Sequence, residues 1–370
     1  MKILLAPDKF KGSLSAQGVC DALTAGIRAV LPEATLLARP LADGGDGSLE
    51  ILGHYLPLVN RRSWVQDPLG RPIKAEYFLS GDKAYIEMTR ASGLVLLSEA
   101  ERNCLQTTSH GTGELIADAI QQGATTIYLF IGGSATNDGG IGIAHALGFR
   151  FLDQAGQALA PIGGNLNEIV QIEAPTPSQL AGIQVKVLCD VANPFYGPEG
   201  AAHVYAAQKG ASPEEIDFLD QGLKHLAEVL NQSGFPDVAQ LPGAGAAGGV
   251  GGGSVAFLGA ELISGIQLFL ELADLEAHLQ QYDLIITGEG KLDRQTKHGK
   301  VVSGVCELAK RHQVPVIAVC GVAEDGVQAA LGIQEVYSVL EQSDSIEEAM
   351  TTATEKLQGI GREIASRLQA

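Results

Sequence analysis

The chain reads as an α/β protein of two domains. One is Rossmann-like, a doubly wound parallel sheet with helices on both faces; the other is an inserted α/β domain with mixed strands. Three observations predict this. Apolar runs are repeatedly followed by a loop rich in glycine and aspartate and then by a helical pattern, the alternation of a parallel sheet. Glycine supplies 46 of 370 residues, well above the usual ~7%, so close backbone turns are frequent. Near residue 60 the pattern changes to short strands separated by tight turns, as in an antiparallel sheet. Hydrophobic residues make up 45% of the chain, and its length is enough for two ordinary domains with sizeable cores.

Residues 2–6 are an apolar run ended by Pro7, a buried strand. Ser13 or Ser15 can cap the following helix, on which Val19, Leu23, Ile27 and Val30 share a face. Residues 35–39 make a second strand and residues 47–56 a second helix, so the chain opens as βαβα. Arg62 to Val65, Lys74 to Leu79 and Ala84 to Met88 read as antiparallel strands, with a turn through Pro68 and Gly70. Residues 111–122 read as a helix. Ile127 to Ile131 is a continuous apolar strand of the kind covered on both faces, and it is assigned to the first sheet. Residues 184–189 form a strand ending at Cys189-Asp190. Asp283 to Thr287 and Pro315 to Val319 are further strands. Ser345-Ile346-Glu347-Glu348 reads as a capping box opening one long final helix, with Ile346, Ala349, Ala353, Leu357, Ile360 and Ile364 on one face. The expected division is 1–62 plus 282–370, joined by 104–136, for the Rossmann-like domain, and 63–281 for the inserted one.

The formal charge is −18, from 25 basic and 43 acidic side chains. No basic run is long enough to build the face that a nucleic-acid or anionic-membrane binder needs. Five cysteines, an odd number without CxxC spacing, argue against a disulfide framework and a zinc site of the usual pattern. A reduced, cytoplasmic setting is expected. The opening Met1 to Asp8 is too short and too soon broken to be a signal peptide, and no breaker-free apolar run of about 18 residues predicts a membrane span.

Four loops carry chemistry. The stretch from Gly288 to Lys300 holds Glu289, Gly290, Lys291, Asp293, Arg294, Lys297 and Lys300. Four basic residues against two acidic ones, at the start of a helix, suit a phosphate; a solvated basic turn is the plain alternative. Gly132, Gly133, Ser134, Thr136, Asn137 and Asp138 can hold a small acid or a phosphate through amides and hydroxyls, or form a structural turn. Asp43 and Asp46 flank Gly44-Gly45; they can hold Mg²⁺ or a substrate hydroxyl, or one of them caps the next helix. Asp8, Lys9 and Lys11 follow the first strand, where both lysines can reach one anion. Asp190, at the end of a buried strand, is a general base or a turn-maker. Gly243, Gly245 and Gly248 match GxGxxG, but no clear strand precedes them, so close packing of a helix competes with a ligand approach. No Walker A loop and no protein-kinase HRD or DFG signature occurs. Glycine-lined loops with carboxylates and lysines together point to phosphoryl transfer. A nicotinamide-dependent oxidoreductase, a non-catalytic binding module and a phosphatase are the rival classes.

Pro7 to Ser15, Ala42 to Gly47, Ile131 to Gly140, Cys189 to Pro194, Gly245 to Gly249 and Thr287 to Asp293, in this order, resemble the bacterial type 1 glycerate kinase family across nearly the whole chain. The resemblance implies ATP-dependent phosphorylation of D-glycerate with Mg²⁺, giving 2-phosphoglycerate. It also implies two α/β domains with a cleft between them. Lys9 stands where many relatives have serine, and Asp46 where many have glutamate. For such a reaction the candidates are Asp190 and then Asp43 as proton acceptor. Lys11, Lys291 and Arg294 are candidates for the phosphate or the acid's carboxylate, and Asp43, Asp138 or Asp293 for the metal. The 3-hydroxyl is the alternative acceptor.

Overall fold

The computed structural model describes residues 1–45, 47–176, 179–293 and 300–369, in two compact units. The first comprises Met1–Asp43, Glu50–Tyr55 and Ser264–Ala370; the second comprises Gly44–Leu49 and Leu56–Ile263.

In the first unit a five-stranded sheet runs in the order Glu335–Ser338, Val316–Ala323, Leu284–Leu292, Lys2–Leu5, Thr35–Ala38. Every neighbouring pair is parallel. The central Ile3, Leu4 and Leu5 are fully buried, as a strand covered on both faces requires. Ser15 caps the helix Ala16–Val30 by accepting the N–H of Gly18 at 3.1 Å. That helix packs Val19, Leu23 and Ile27 into a core shared with Leu357, Ile360 and Ile364 of Ala353–Gln369. Gly26 permits this contact, because a Cβ there would lie 2.2 Å from the carbonyl oxygen of Gln358.

Two elements of this unit differ from expectation. The strand expected to stop at Thr287 continues to Leu292, pairing with its neighbour as far as Leu292 opposite Ala323. Glycine reads as a breaker, yet at Gly288 it relieves crowding, since a Cβ would sit 2.2 Å from the Val319 carbonyl. The single final helix is two, Ile346–Thr351 and Ala353–Gln369. Ser345 accepts the Glu348 N–H at 3.1 Å, but the Glu348 carboxylate accepts from Asp344 at 2.7 Å. Half of the expected capping box is therefore present. Ile346, expected on the buried face, is 67% exposed.

The second unit holds a six-stranded mixed sheet in the order Glu261–Ile263, Gln184–Leu188, Thr126–Phe130, Lys83–Glu87, Pro72–Ser80, Val59–Gln66. The first four strands are parallel neighbours, and the last two are added antiparallel. The strand Thr126–Phe130 thus lies in this sheet and not in the first, and residues 104–136 fall in this unit. Its apolar run announced burial on both faces but could not name its neighbours, Lys83–Glu87 and Gln184–Leu188. A two-stranded ribbon, Arg150–Leu152 with Gln171–Glu173, completes the strands of the described residues.

Among the described residues no helix is long and apolar enough to cross a membrane. Cys20, Cys104, Cys306 and Cys320 are buried free thiols, and Cys189 is a half-buried one. Burial pushes all five up, to about 12 for Cys20, Cys306 and Cys320 and to about 11 for Cys104 and Cys189.

Candidate functional site

In the first unit, the loop after Lys2–Leu5 and the far end of Leu284–Leu292 meet around a cavity of about 410 Å³. Its rim carries Asp8, Lys9, Lys11, Asp43, Glu289, Gly290, Lys291 and Lys300; its apolar wall includes Phe10, Val322, Leu340, Ile346 and Met350. Sequence-distant residues come together here because parallel neighbours place their carboxyl ends at one edge. The Asp8 N–H donates to the Gly288 carbonyl at 2.8 Å. Gly290 leaves room for the Lys11 backbone, whose nitrogen would be 3.2 Å from a Cβ there. The turn from Phe10 to Leu14 is tied to the short helix Ile346–Thr351 by Ser13 Oγ, which donates to the Met350 carbonyl at 2.6 Å.

Three carboxyl groups gather at this rim. Asp8 is 8% exposed and Glu289 5%. Burial, followed by the charges of Asp43 and Glu289, raises the Asp8 carboxyl to about 7, against the opposing Lys9 N–H and ammonium. The Lys9 N–H donates to Asp8 Oδ1 at 2.7 Å. Lys291 Nζ lies 3.1 Å from both Asp293 and Glu324, and these bonds hold its pKa above the usual lysine value.

The second unit contributes the loop from Gly132 to Gly140, which follows Thr126–Phe130. Gly132 and Gly133 are exposed, while residues 134–140 are buried. Asp138, fully buried, accepts the N–H and the hydroxyl of Ser109, each at 2.7 Å, and the N–H of Gly140 at 3.0 Å. Burial raises its pKa against these bonds. The carboxylate fastens its own loop to the start of the helix His110–Gln121, and the metal role expected of it does not fit. Lys209, 3% exposed, donates to Ser134 Oγ at 2.9 Å and to the Thr136 carbonyl at 2.7 Å.

Gly245 and Gly248 are packing glycines. A Cβ on Gly245 would lie 2.2 Å from the Pro194 carbonyl oxygen, and one on Gly248 2.0 Å from that of Thr136. Gly248 moreover has φ +71, inside a left-handed start to the helix Ala246–Leu258. Gly248 lets this helix press onto the 132–140 loop, and Gly245 lets its start pack against Asn193 and Pro194, so the competing expectation, close packing, is what the structure contains. Gly44 and Gly45 sort with the second unit, where the Gly45 carbonyl accepts from Ser48 Oγ at 2.6 Å. Asp190 is half-buried beyond the end of Gln184–Leu188, also in the second unit. Asp46, Arg294 and Lys297 lie outside the described residues.

Lys300, one of the basic residues expected to suit a phosphate, lines the pocket, whereas sequence reasoning assigned no site role to the apolar wall, Ser109 or Lys209. The run Thr107-Thr108-Ser109 is a hydroxyl-rich signal that marks Ser109; nothing in Gln208-Lys209-Gly210 distinguishes a buried lysine from a solvated one.

Divalent metal fits the first unit by donor chemistry. Hard oxygen donors from Asp43 and Glu289 are of the kind Mg²⁺ takes together with phosphate oxygens and water. Among the described residues no three His, Cys, Asp or Glu side chains are arranged to hold a metal by themselves.

The family described as the Glycerate kinase family matches residues 3–369. The chain belongs to the glycerate kinase family. Within it, a Glycerate 2-kinase of Escherichia coli (strain K12) is 44% identical over 100% of this chain and 98% of the relative. A Glycerate kinase of Halalkalibacterium halodurans is 42% identical over 98% and 97%. A crystal structure described as glycerate kinase 2 from Salmonella typhimurium LT2 superposes with a TM-score of 0.86, at 42% identity, covering 100% of this chain and 98% of the other. Membership in the glycerate kinase family therefore extends over both units and the whole α/β fold.

Proposed function

We propose that the chain is an ATP-dependent glycerate 2-kinase, moving the γ-phosphoryl group of ATP to the 2-hydroxyl of D-glycerate and releasing 2-phosphoglycerate and ADP. The observation that carries this is the full-length identity to the E. coli Glycerate 2-kinase. The first unit's pocket supports it chemically. Its apolar wall suits a nucleotide base, and Lys9, Lys11, Lys291 and Lys300 suit phosphate oxygens. Phosphoryl transfer needs mostly positioning and charge neutralisation, which these side chains supply.

Asp8 is the carboxyl group best suited to take up the hydroxyl proton, because it stands at the pocket rim beside the lysines that suit phosphate. On this reading Asp8 replaces Asp190 as first candidate. Asp43 and Glu289 would hold Mg²⁺, whose charge offsets that of the triphosphate when bound. The setting is cytoplasmic, where ATP is at hand.

The test is product analysis by phosphorus NMR, with D-glycerate, L-glycerate and no acceptor in parallel. A 2-phosphate ester formed only with D-glycerate is the expected result. A 3-phosphate ester would overturn the regiochemistry, and phosphate release without acceptor would make the protein a phosphatase.

A further inference from the structure

A lysine interior to the second unit has no carboxylate within ion-pair distance among the described residues. Lys209 follows the helix Ala201–Tyr205 in a short 3-10 turn and is 3% exposed. Its two hydrogen-bond acceptors are neutral, a hydroxyl and a peptide carbonyl, both on the 132–140 loop. An ammonium has three donors, and burying it without a counter-charge is costly. A neutral donor would suffice if cross-linking the loop were all that was required. Burial lowers its pKa to about 8, against the opposing influence of Cys104 and then Asp138.

A second observation on the same loop is of polar groups that a ligand would satisfy. Asn137 is fully buried, yet neither its amide nitrogen nor its oxygen has a hydrogen-bond partner, and Thr136 Oγ1 beside it has none either. Buried polar atoms of this kind are normally satisfied. An unpaired carboxamide offers two donor hydrogens and an acceptor oxygen, which complements an oxyanion carrying a neighbouring hydroxyl. Gly132 and Gly133, on the exposed side of the loop, let backbone amides approach such a group.

We propose that Lys209 is a positioning residue that makes the 132–140 loop a binding site for an anionic oxygen group of a substrate, its buried charge standing in place of a counter-ion that the ligand supplies. The proposal rests on the kinase reading. The group is either the carboxylate of the hydroxy acid or the terminal phosphate of the nucleotide, and the two differ in which Michaelis constant responds.

The test compares full-length wild type, Lys209→Met, Lys209→Arg and Ser134→Ala, titrating D-glycerate and ATP separately. Lys209→Met should raise KM for one substrate about tenfold or more while the other KM stays within about twofold and kcat falls less. Lys209→Arg should restore most of the lost affinity. A response in KM for D-glycerate identifies the carboxylate; a response in KM for ATP identifies the phosphate. Two unchanged KM values, or two that rise together, overturn the proposal. Should Lys209→Met fail to fold, Ser134→Ala decides, with an expected rise of about threefold or more in the same single KM and an unchanged value overturning the proposal. A wild type inert toward D-glycerate and ATP would overturn the kinase reading instead.

Discussion

Asp138 Oδ2 holds Ser109 by both its N–H and its hydroxyl, each at 2.7 Å, inside the core of the second unit. This pair joins the glycine-rich loop to the first turn of His110–Gln121. Asp138→Ala would leave those donors and the Gly140 N–H unpaired, at about 1–3 kcal/mol for each group that water cannot reach. The expected result is a loss of about 3 kcal/mol or more in urea unfolding, with a smaller loss for Asp138→Asn. An unchanged midpoint would contradict the structural role.

Asp8 should make stability depend on pH in an unusual direction. Its folded pKa of about 7 lies above the ~3.9 of an unfolded aspartate. Between those values the native state keeps a proton that the unfolded state has released, so stability falls as pH rises. Most of its contribution is present near pH 4 and is lost by about pH 7. Asp8→Asn should therefore be more stable than wild type at pH 8 and nearly equal at pH 4, measured by thermal melts in metal-free buffer.

The same substitution separates the two candidate bases. Asp8→Asn should lower kcat by about 10²-fold or more with little change in either KM, whereas Asp190→Asn should keep a near-normal rate. The reverse pattern would return the role to Asp190.

Lys291 should matter to activity and little to folding. The Lys291 side chain is exposed in both of its ion pairs, so solvent screens them and they add little to stability. Lys291→Ala should shift the melting temperature by no more than about 4 °C while raising KM for ATP about tenfold. Equal KM values in the two proteins would remove Lys291 from the phosphate site.

Gly253 tests the packing of Ala246–Leu258. A Cβ there would lie 2.1 Å from the Gly139 carbonyl oxygen. Gly253→Ala, favourable in an isolated helix, should instead destabilise by about 1–3 kcal/mol, seen as a lower urea midpoint.

The parallel sheet of the first unit was legible because Lys2–Leu5 and its neighbours are short, apolar and followed at once by glycine and charge. That local pattern also located the pocket rim, since Asp8, Lys11 and Asp43 stand beyond strand ends and Glu289 in the last half of Leu284–Leu292. What it concealed was non-local. Thr126–Phe130 has the same burial signature in either sheet, and only its pairing with Lys83–Glu87 decides which. Gly245 and Gly248 left close packing and a ligand approach undecided, because sequence does not show the Pro194 and Thr136 carbonyls pressed against them. Lys209 was invisible for the same reason, since its partners lie some seventy positions upstream on another loop.

The five sequestered thiols give this protein an internal clock. At neutral pH each is overwhelmingly protonated, and the thiolate is the form that alkylating reagents attack. Iodoacetamide should therefore modify the folded chain slowly and the opened chain fast. The order in which Cys189, then the deeper sulfurs, become marked would time which part of the molecule breathes first.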